Sequence, residues 1–434
     1  MKLDAQTVVG AFKLFASRAP TPEEIHKFVS TGMTRNAVKA YIFENKLSKI
    51  PPEPEWTNAP SGVHWVSPWG WSSNGLCNVW RRQARALSDA GVLLRLSGFW
   101  RFGGNPDARA QAEAGYLTKV LATPKVRICG FPIEGEQPLA NHILSTVRPK
   151  QIICSMMERD RIGPAAAAAA NQVDWWLTCQ ANVDAFVRSG VDRARLKIVP
   201  VPFFPDDPAL KLVGRQREPG APRYYHIGSM CFRKGQDELL LGFLRAFKHG
   251  EAQLVIKTTI SDPGYPNVFQ LRTMHLADER VRANGWTAQN VNAPHVELVH
   301  ATWSEDRLME LHRWGDVYLS VSKGEGWDMP AFAAVLAGNL LIYTPSGGPQ
   351  EFACESDLLV RQTGWETVHP FYQKHYFFEK DSQWITYDTE HYVEQLQVSA
   401  GNLPPKEHRR DFTQFTAKVV GELMRSYVEP MLAD

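Results

Sequence analysis

The chain has 434 residues, 44% of them hydrophobic, and a formal net charge of +2. That length accommodates two or three domains with real cores, and the near-balanced charge excludes a whole-chain electrostatic affinity for nucleic acid or for a membrane surface. The six cysteines, at 77, 129, 154, 179, 231 and 354, form no C-x-x-C pair, which argues against a zinc site or a secreted disulfide framework and for free thiols in a reducing compartment.

Residues 1–50 read as a separate helical extension. Phe12, Leu14 and Phe15 recur at helical spacing, and Thr21-Pro22-Glu23-Glu24 is a helix start with proline at the first position and acids in the first turn. Asp4, Lys13 and Arg18 interrupt any signal-like apolar stretch. No run reaches the ~18 apolar residues of a spanning helix, so a cytoplasmic location is expected. Pro51, Pro52, Pro54 and Pro60 mark a linker.

Short apolar runs then alternate with helical stretches. Strands are expected at 63–67, 92–97, 126–131, 151–154, 175–179 and 196–200, with helices at 76–90, 108–122 and 164–173. Such alternation predicts a parallel, doubly wound sheet over 60–205. Asn74 and Gly75 follow the first strand, Glu134 the third, and Glu158 and Asp160 the fourth. All five fall at the carboxyl edge of the sheet, where ligands bind in open α/β folds.

Residues 203–222, rich in Pro, Asp and Arg, read as an interdomain linker. A second α/β unit is expected over 223–400. Its strands lie at 224–228, 253–258, 296–300, 316–321, 339–343 and 357–360, and its helices at 237–248, 304–313 and 330–337. Ser304 is an N-cap followed by Glu305 and Asp306, which complement a helix start. Residues 261–293 read as an insertion with one short helical stretch. The alternation is lost after 365, and 411–428 forms a closing amphipathic helix with Phe412, Phe415, Val419, Leu423 and Tyr427 on one face.

Two segments of the second unit carry chemistry. The stretch 320–351, SVSKGEGWDMPAFAAVLAGNLLIYTPSGGPQE, reads as strand, glycine loop, helix, strand, glycine loop. It places Glu325 between Gly324 and Gly326, a helix start near Pro330, and Gly347-Gly348 in the second loop. Free N–H groups at such a helix start suit an anion. The segment His226-Ile227-Gly228-Ser229-Met230-Cys231-Phe232-Arg233-Lys234-Gly235 puts two cations at a helix N-terminus, where they oppose the helix dipole unless an anion is bound.

These segments resemble the signature of the retaining GT-B glycosyltransferases of the glycogen-synthase-like type (family four, "glycosyl transferases group 1"). There, E-G-[FW]-x-x-P-x-x-E precedes a strand and G-G-x-x-E. Glu325, Gly326, Trp327, Pro330, Gly347, Gly348 and Glu351 match, and Ala333 stands where the second glutamate is expected. Gly228 to Gly235 is similar to the family's G-R-x…K-G, with Ser229 in place of the arginine, and 171–202 is similar to the last unit of its first domain.

The resemblance implies two Rossmann-like domains facing across a cleft, with the last helix crossing back to the first domain. It implies transfer of a sugar from a nucleoside diphosphate donor with no obligatory metal. Lys234 would meet the diphosphate, which gains charge as the bond breaks and needs pre-aimed cations and N–H groups. Glu325 would lie by the donor sugar. Arg233 is placed to supply the charge lost at Ser229. Gly228, Ser229, Asp328, Ser346, Gly347, Gly348, Glu351 and Trp303 are the donor-side candidates, and Asn74, Gly75, Glu134, Glu158 and Asp160 the acceptor-side ones. Ala333 cannot grip the ribose as a glutamate does.

A glycan or lipid-linked acceptor is expected. A modified nucleic-acid base is an alternative, because Arg81, Arg82, Arg85, Arg95, Arg101, Arg188, Arg193, Arg195 and Lys197 sit in the first unit. A binding module without transfer is another, on the strength of Ala333 and Ser229. The N-terminal helices are similar to a short module fused to bacterial sugar-transfer enzymes, and they serve either packing or partner docking. No G-x-G-x-x-G follows a strand, and neither G-x-S-x-G nor a P-loop occurs, which sets aside a dehydrogenase, a serine hydrolase and a P-loop enzyme.

Overall fold

The structure, a computed structural model, describes residues 60–67, 75–98, 123–130, 150–259, 262–375, 378–407 and 411–433, with positions 23 and 26 besides. The expected N-terminal extension, the linker at 51–54, the helix at 108–122, Asn74, Arg101 and Glu134 lie outside the described residues.

The first domain is a parallel sheet of β1 (Ser61–Ser67), β2 (Leu94–Gly98), β3 (Thr123–Gly130), β4 (Gln151–Ser155), β5 (Asp174–Leu177) and β6 (Leu196–Ile198), in the order β2-β1-β3-β4-β5-β6. Its helices include α1 (Gly75–Asp89), α2 (Pro164–Ala170) and α3 (Gln180–Arg188). The second is a parallel sheet of β7 (Arg223–Ile227), β8 (Gln253–Thr258), β9 (Val296–His300), β10 (Val317–Ser320), β11 (Leu340–Tyr343) and β12 (Leu358–Leu359), in the order β12-β11-β10-β7-β8-β9. Its helices include α4 (Gln236–Ala246), α5 (Glu305–Trp314), capped by Ser304 as expected, and α6 (Met329–Leu336). Helices on both faces bury such strands on both sides, which is why they read as continuous apolar runs. Every residue of β4 and of β10 is buried.

Buried polar groups lock α5 to this second sheet. Tyr225 Oη lies 2.8 Å from His312 Nδ1, and Asn339 Nδ2 donates to both Tyr225 Oη (2.7 Å) and the His312 carbonyl (2.7 Å). Burial holds His312 at about 3, so the ring is neutral within this network.

Three expectations change. Beyond 365 the chain forms an antiparallel hairpin, β13 (Gln362–Thr367) with β14 (Gln383–Tyr387), followed by α7 (Thr389–Gly401), whose cap Asp388 accepts from His391 N. The strand QTGWET has no apolar face to announce it. Residues 261–293 hold two short helices, Val268–Met274 and Glu279–Ala283, capped by Asn267 and Asp278. The closing helix, α8 (Ala417–Ala433), starts six residues after the expected 411, because the chain before it is otherwise engaged. Phe203 N donates to the Phe415 carbonyl and Ala417 N to the Phe203 carbonyl, both at 2.8 Å.

The segment 203–222 is anchored rather than loose. Phe203, Phe204, Ala209 and Leu212 are buried, and Asp207 accepts from both Nη atoms of Arg82 (2.7 and 2.6 Å). Helix α8 returns to the first domain as expected and lies on α1, where a Cβ at Gly421 would stand 2.3 Å from the Ala86 carbonyl oxygen. Gly421→Ala is therefore expected to lower the unfolding free energy by roughly 1–3 kcal/mol in a denaturant titration. An unshifted midpoint would mean that the two helices are not in contact. No helix among the described residues is long and apolar enough to cross a membrane.

Candidate active site

Beyond β10 the chain turns through the Glu325 loop, and its glycines are steric necessities. A Cβ at Gly324 would lie 2.4 Å from the Glu158 carbonyl oxygen, and one at Gly326 would lie 2.7 Å from Met156 Cβ. The 156–160 segment of the first domain therefore rests directly on this loop. Thr178 adds a bond from its hydroxyl to the Gly326 carbonyl (2.7 Å). The second glycine loop supports the first from the other side. Glu325 N donates to the Ser346 carbonyl (2.8 Å), and Gly348 N donates to the Glu325 carbonyl (3.2 Å). Gly347, at φ 128°, adopts a conformation that favours glycine, and a Cβ there would stand 2.0 Å from the Glu325 carbonyl oxygen. The N–H of Gly348, expected to serve a ligand, is thus already engaged.

The cationic loop after β7 is braced from beneath. Gln236, the first residue of α4, donates from Nε2 to the Ser229 carbonyl (2.6 Å) and accepts at Oε1 from Cys231 N (3.3 Å). His226 donates from Nδ1 to the Leu319 carbonyl (2.8 Å). Burial, with the Lys234 charge, lowers it to about 4, so a neutral ring lies under Gly228.

The two loops bring their charges together. Glu325 is 4% exposed. Its Oε1 takes Lys234 Nζ at 2.6 Å and Arg233 Nη1 at 2.8 Å. Arg233 also donates to the Gly324 carbonyl (2.6 Å) and, across the domain boundary, to Glu158 Oε1 (2.8 Å). Lys234 Nζ lies 3.7 Å from Asp328 Oδ1. Burial alone would raise the Glu325 carboxyl, but Arg233 and Lys234 outweigh it and hold the group at about 2. Burial works against the Lys234 ammonium too, yet Asp328 and Glu325 raise it above its ordinary value. Both therefore stay ionised through the physiological range. Among the described residues, the Nε of Arg233 and the hydroxyl of Ser346 are buried without a hydrogen-bond partner.

Asp328 is engaged within the protein. Its carboxylate caps α6 by accepting from Ala331 N (3.4 Å) and accepts from the Ser320 hydroxyl (2.5 Å). These bonds, with Lys234, hold it in a left-handed conformation at φ 62° that is unfavourable for a residue with a Cβ. The α6 N-terminus is thus capped by the protein's own carboxylate. Glu351 accepts at Oε1 from Gln180 N (2.6 Å), at the start of α3 in the first domain. Asp160 is buried and accepts at Oδ1 from Gln383 N of β14 (2.6 Å). Ser229 is exposed at the loop rim. Trp303 is half-buried beyond β9, with the Arg307 guanidinium 4.1 Å from its ring centre. Gly75 opens α1. Glu325, Arg233, Lys234, Asp328 and Glu158 therefore form one cluster, with Gly347 and Gly348 packed against its Glu325 loop.

Sequence reasoning missed the rest of the seam. Trp384 Nε1 donates to the Glu158 carbonyl (2.8 Å), and Arg159 pairs with Glu379 (3.2 Å). These partners come from distant segments, and no local spacing announces them. The basic residues considered for a nucleic-acid groove include four that face acids: Arg82 with Asp207, Arg85 with Asp206 and Asp89, Arg188 with Asp160, and Arg195 with Asp174.

No protein-family model and no curated protein sequence matches the chain. Solved structures do. A UDP-forming α,α-trehalose-phosphate synthase from Burkholderia vietnamiensis aligns over 86% of this chain and 99% of its own, at 15% identity and a TM-score of 0.54. One from Burkholderia xenovorans in complex with glucose-6-phosphate aligns over 86% and 100%, at 11% identity and a TM-score of 0.52. At such identities the likeness speaks for architecture, and it agrees with two six-stranded parallel sheets joined by a returning C-terminal helix. The chain has the GT-B fold, with two Rossmann-like domains meeting at the loop that carries Glu325.

Proposed function

We propose that the protein is a retaining glycosyltransferase that moves a sugar from a nucleoside diphosphate donor to an acceptor hydroxyl, with a glycan or lipid-linked acceptor favoured. One observation carries this reading: an ionised Glu325 paired with Lys234 and Arg233 at the carboxyl edge of the second sheet, against the first domain. The leaving diphosphate gains negative charge, and two cations on a braced loop are pre-aimed to meet it. Lys234 offers a compact charge with three donors. Glu325 accepts hydrogen bonds from sugar hydroxyls and balances positive charge developing at the anomeric carbon. With two side-chain cations in place, the scheme needs no metal. The UDP-forming neighbours favour a uridine donor.

A second reading, a module that binds the donor without transfer, draws on Ala333 and Ser229, which lack the expected acceptor and cation. Calorimetry with UDP-, GDP-, ADP- and TDP-sugars, alongside an assay of nucleoside diphosphate release with and without acceptors, separates the two. We expect one donor class to bind and to release its diphosphate. Binding with no release on any acceptor supports the module, and no binding at all overturns both readings.

A further inference from the structure

Lys257 is the one charge in the strand QLVIKT, whose centre, Leu254 to Ile256, is apolar. It stands at the carboxyl end of β8, 5% exposed, in register with Ile227 of β7 and Val299 of β9. Among the described residues nothing pairs with it, and burial lowers its pKa. The side chain is largely enclosed while its Nζ still reaches solvent; a poorly solvated ammonium without a partner opposes folding, and an apolar side chain would fill the position at less cost. Thr258, next in the strand, is wholly buried, and its Oγ1 has no hydrogen-bond partner. Successive strand residues point to opposite faces, so the two side chains lie on opposite sides of the sheet at the end of the strand.

The backbone fixes what lies beside that end. The Lys257 carbonyl accepts from Gly228 N and the Thr258 carbonyl from Ala301 N, both at 3.0 Å. One bond ties the strand to the loop of Arg233 and Lys234, the other to the loop of Trp303. Along the sheet edge the order is Glu325 after β10, Lys234 after β7, Lys257 on β8 and Trp303 after β9. Neighbouring strands lie ~4.8 Å apart, so these positions span roughly 14 Å. That is the order of sugar, diphosphate and nucleoside in the donor.

We propose that Lys257 recognises the donor's nucleoside. This rests on the nucleotide-sugar reading. A lysine has three donors and no acceptor, so it favours a base whose carbonyl oxygens accept, such as uracil or guanine, over adenine, whose base acceptors are ring nitrogens alone.

Calorimetry with UMP, UDP, GDP and ADP on the wild type, K257M and K234A tests this. The wild type should prefer UDP or GDP to ADP. K257M should bind the preferred nucleotide roughly ten- to hundredfold more weakly, with the same factor for mono- and diphosphate, whereas K234A should lose mainly diphosphate affinity. Without nucleotide K257M should melt above the wild type, because a poorly solvated charge without a partner is gone. Three results would overturn the assignment: wild-type affinity in K257M, ADP bound as tightly as UDP and GDP, or weaker binding together with a lower melting temperature. A wild type that binds none of the four, nor TDP, refutes the nucleotide-sugar reading itself.

Discussion

Glu325→Gln should still bind its nucleoside diphosphate, lose nearly all transfer, and melt well below the wild type until nucleotide is added. The amide keeps the shape of the side chain but withdraws the charge that Lys234 and Arg233 share. Breaking a buried ion pair in this way costs about 3 kcal/mol, less whatever the amide oxygen still accepts. A bound diphosphate returns negative charge to the same two cations, so the nucleotide should raise the melting temperature of the variant more than that of the wild type, ligand binding being coupled to folding. Turnover at the wild-type level would refute the role of Glu325, and equal ligand-induced shifts would remove the cations from the phosphate site. The pH dependence has a definite sign. The folded carboxyl sits near 2, below its ordinary 4.5. Its contribution to stability is complete above about 4.5 and is lost as pH falls toward 2.

Lys234→Ala should do the opposite. Its loss removes a direct cation from the diphosphate, and affinity should fall roughly ten- to hundredfold. Glu325 and Glu158 then still face Arg233, but Asp328 loses the one cation paired with it among the described residues. A buried carboxylate without its cation favours protonation. The variant should therefore gain stability relative to the wild type as pH falls into the carboxylate range. The wild-type lysine, raised above its ordinary 10.5, contributes fully below that value and loses its contribution as pH rises through the higher folded one. Melting curves across the two ranges read both signs. An unaltered diphosphate affinity would take Lys234 out of the site.

The architecture was readable because parallel strands buried on both faces are written as short apolar runs between helices, and β4, β8 and β10 show this plainly. Glu325, Lys234, Gly347 and Gly348 were readable because glycine loops at strand ends leave a local mark. What each side chain does was less so. Asp328 looks like a free acceptor, yet it caps the next helix, and Glu351 reaches a helix of the other domain. The hairpin β13–β14 carries alternating polar residues and was invisible, although it holds Asp160 and the Glu158 backbone in place. Lys257 could have been found, since a lone charge in a strand with an apolar centre is anomalous on sight.

The paired crossings at Phe203 and Phe415–Ala417 have a mechanical consequence. The chain passes between the domains twice, and the two passages are hydrogen-bonded side by side. Such a strap resists sliding and twisting but bends along one line. Glu158 and Met156 lie on the Glu325 loop, so a sugar can reach the buried carboxylate only when the sheet edges part. With the strap intact, that parting would be a swing about the line through Phe203 and Thr416. Lifting segment 156–160 off the glycine loop in this way would break the Arg233–Glu158 and Arg159–Glu379 ion pairs together with the bonds from Trp384 and Gln383 to Glu158 and Asp160.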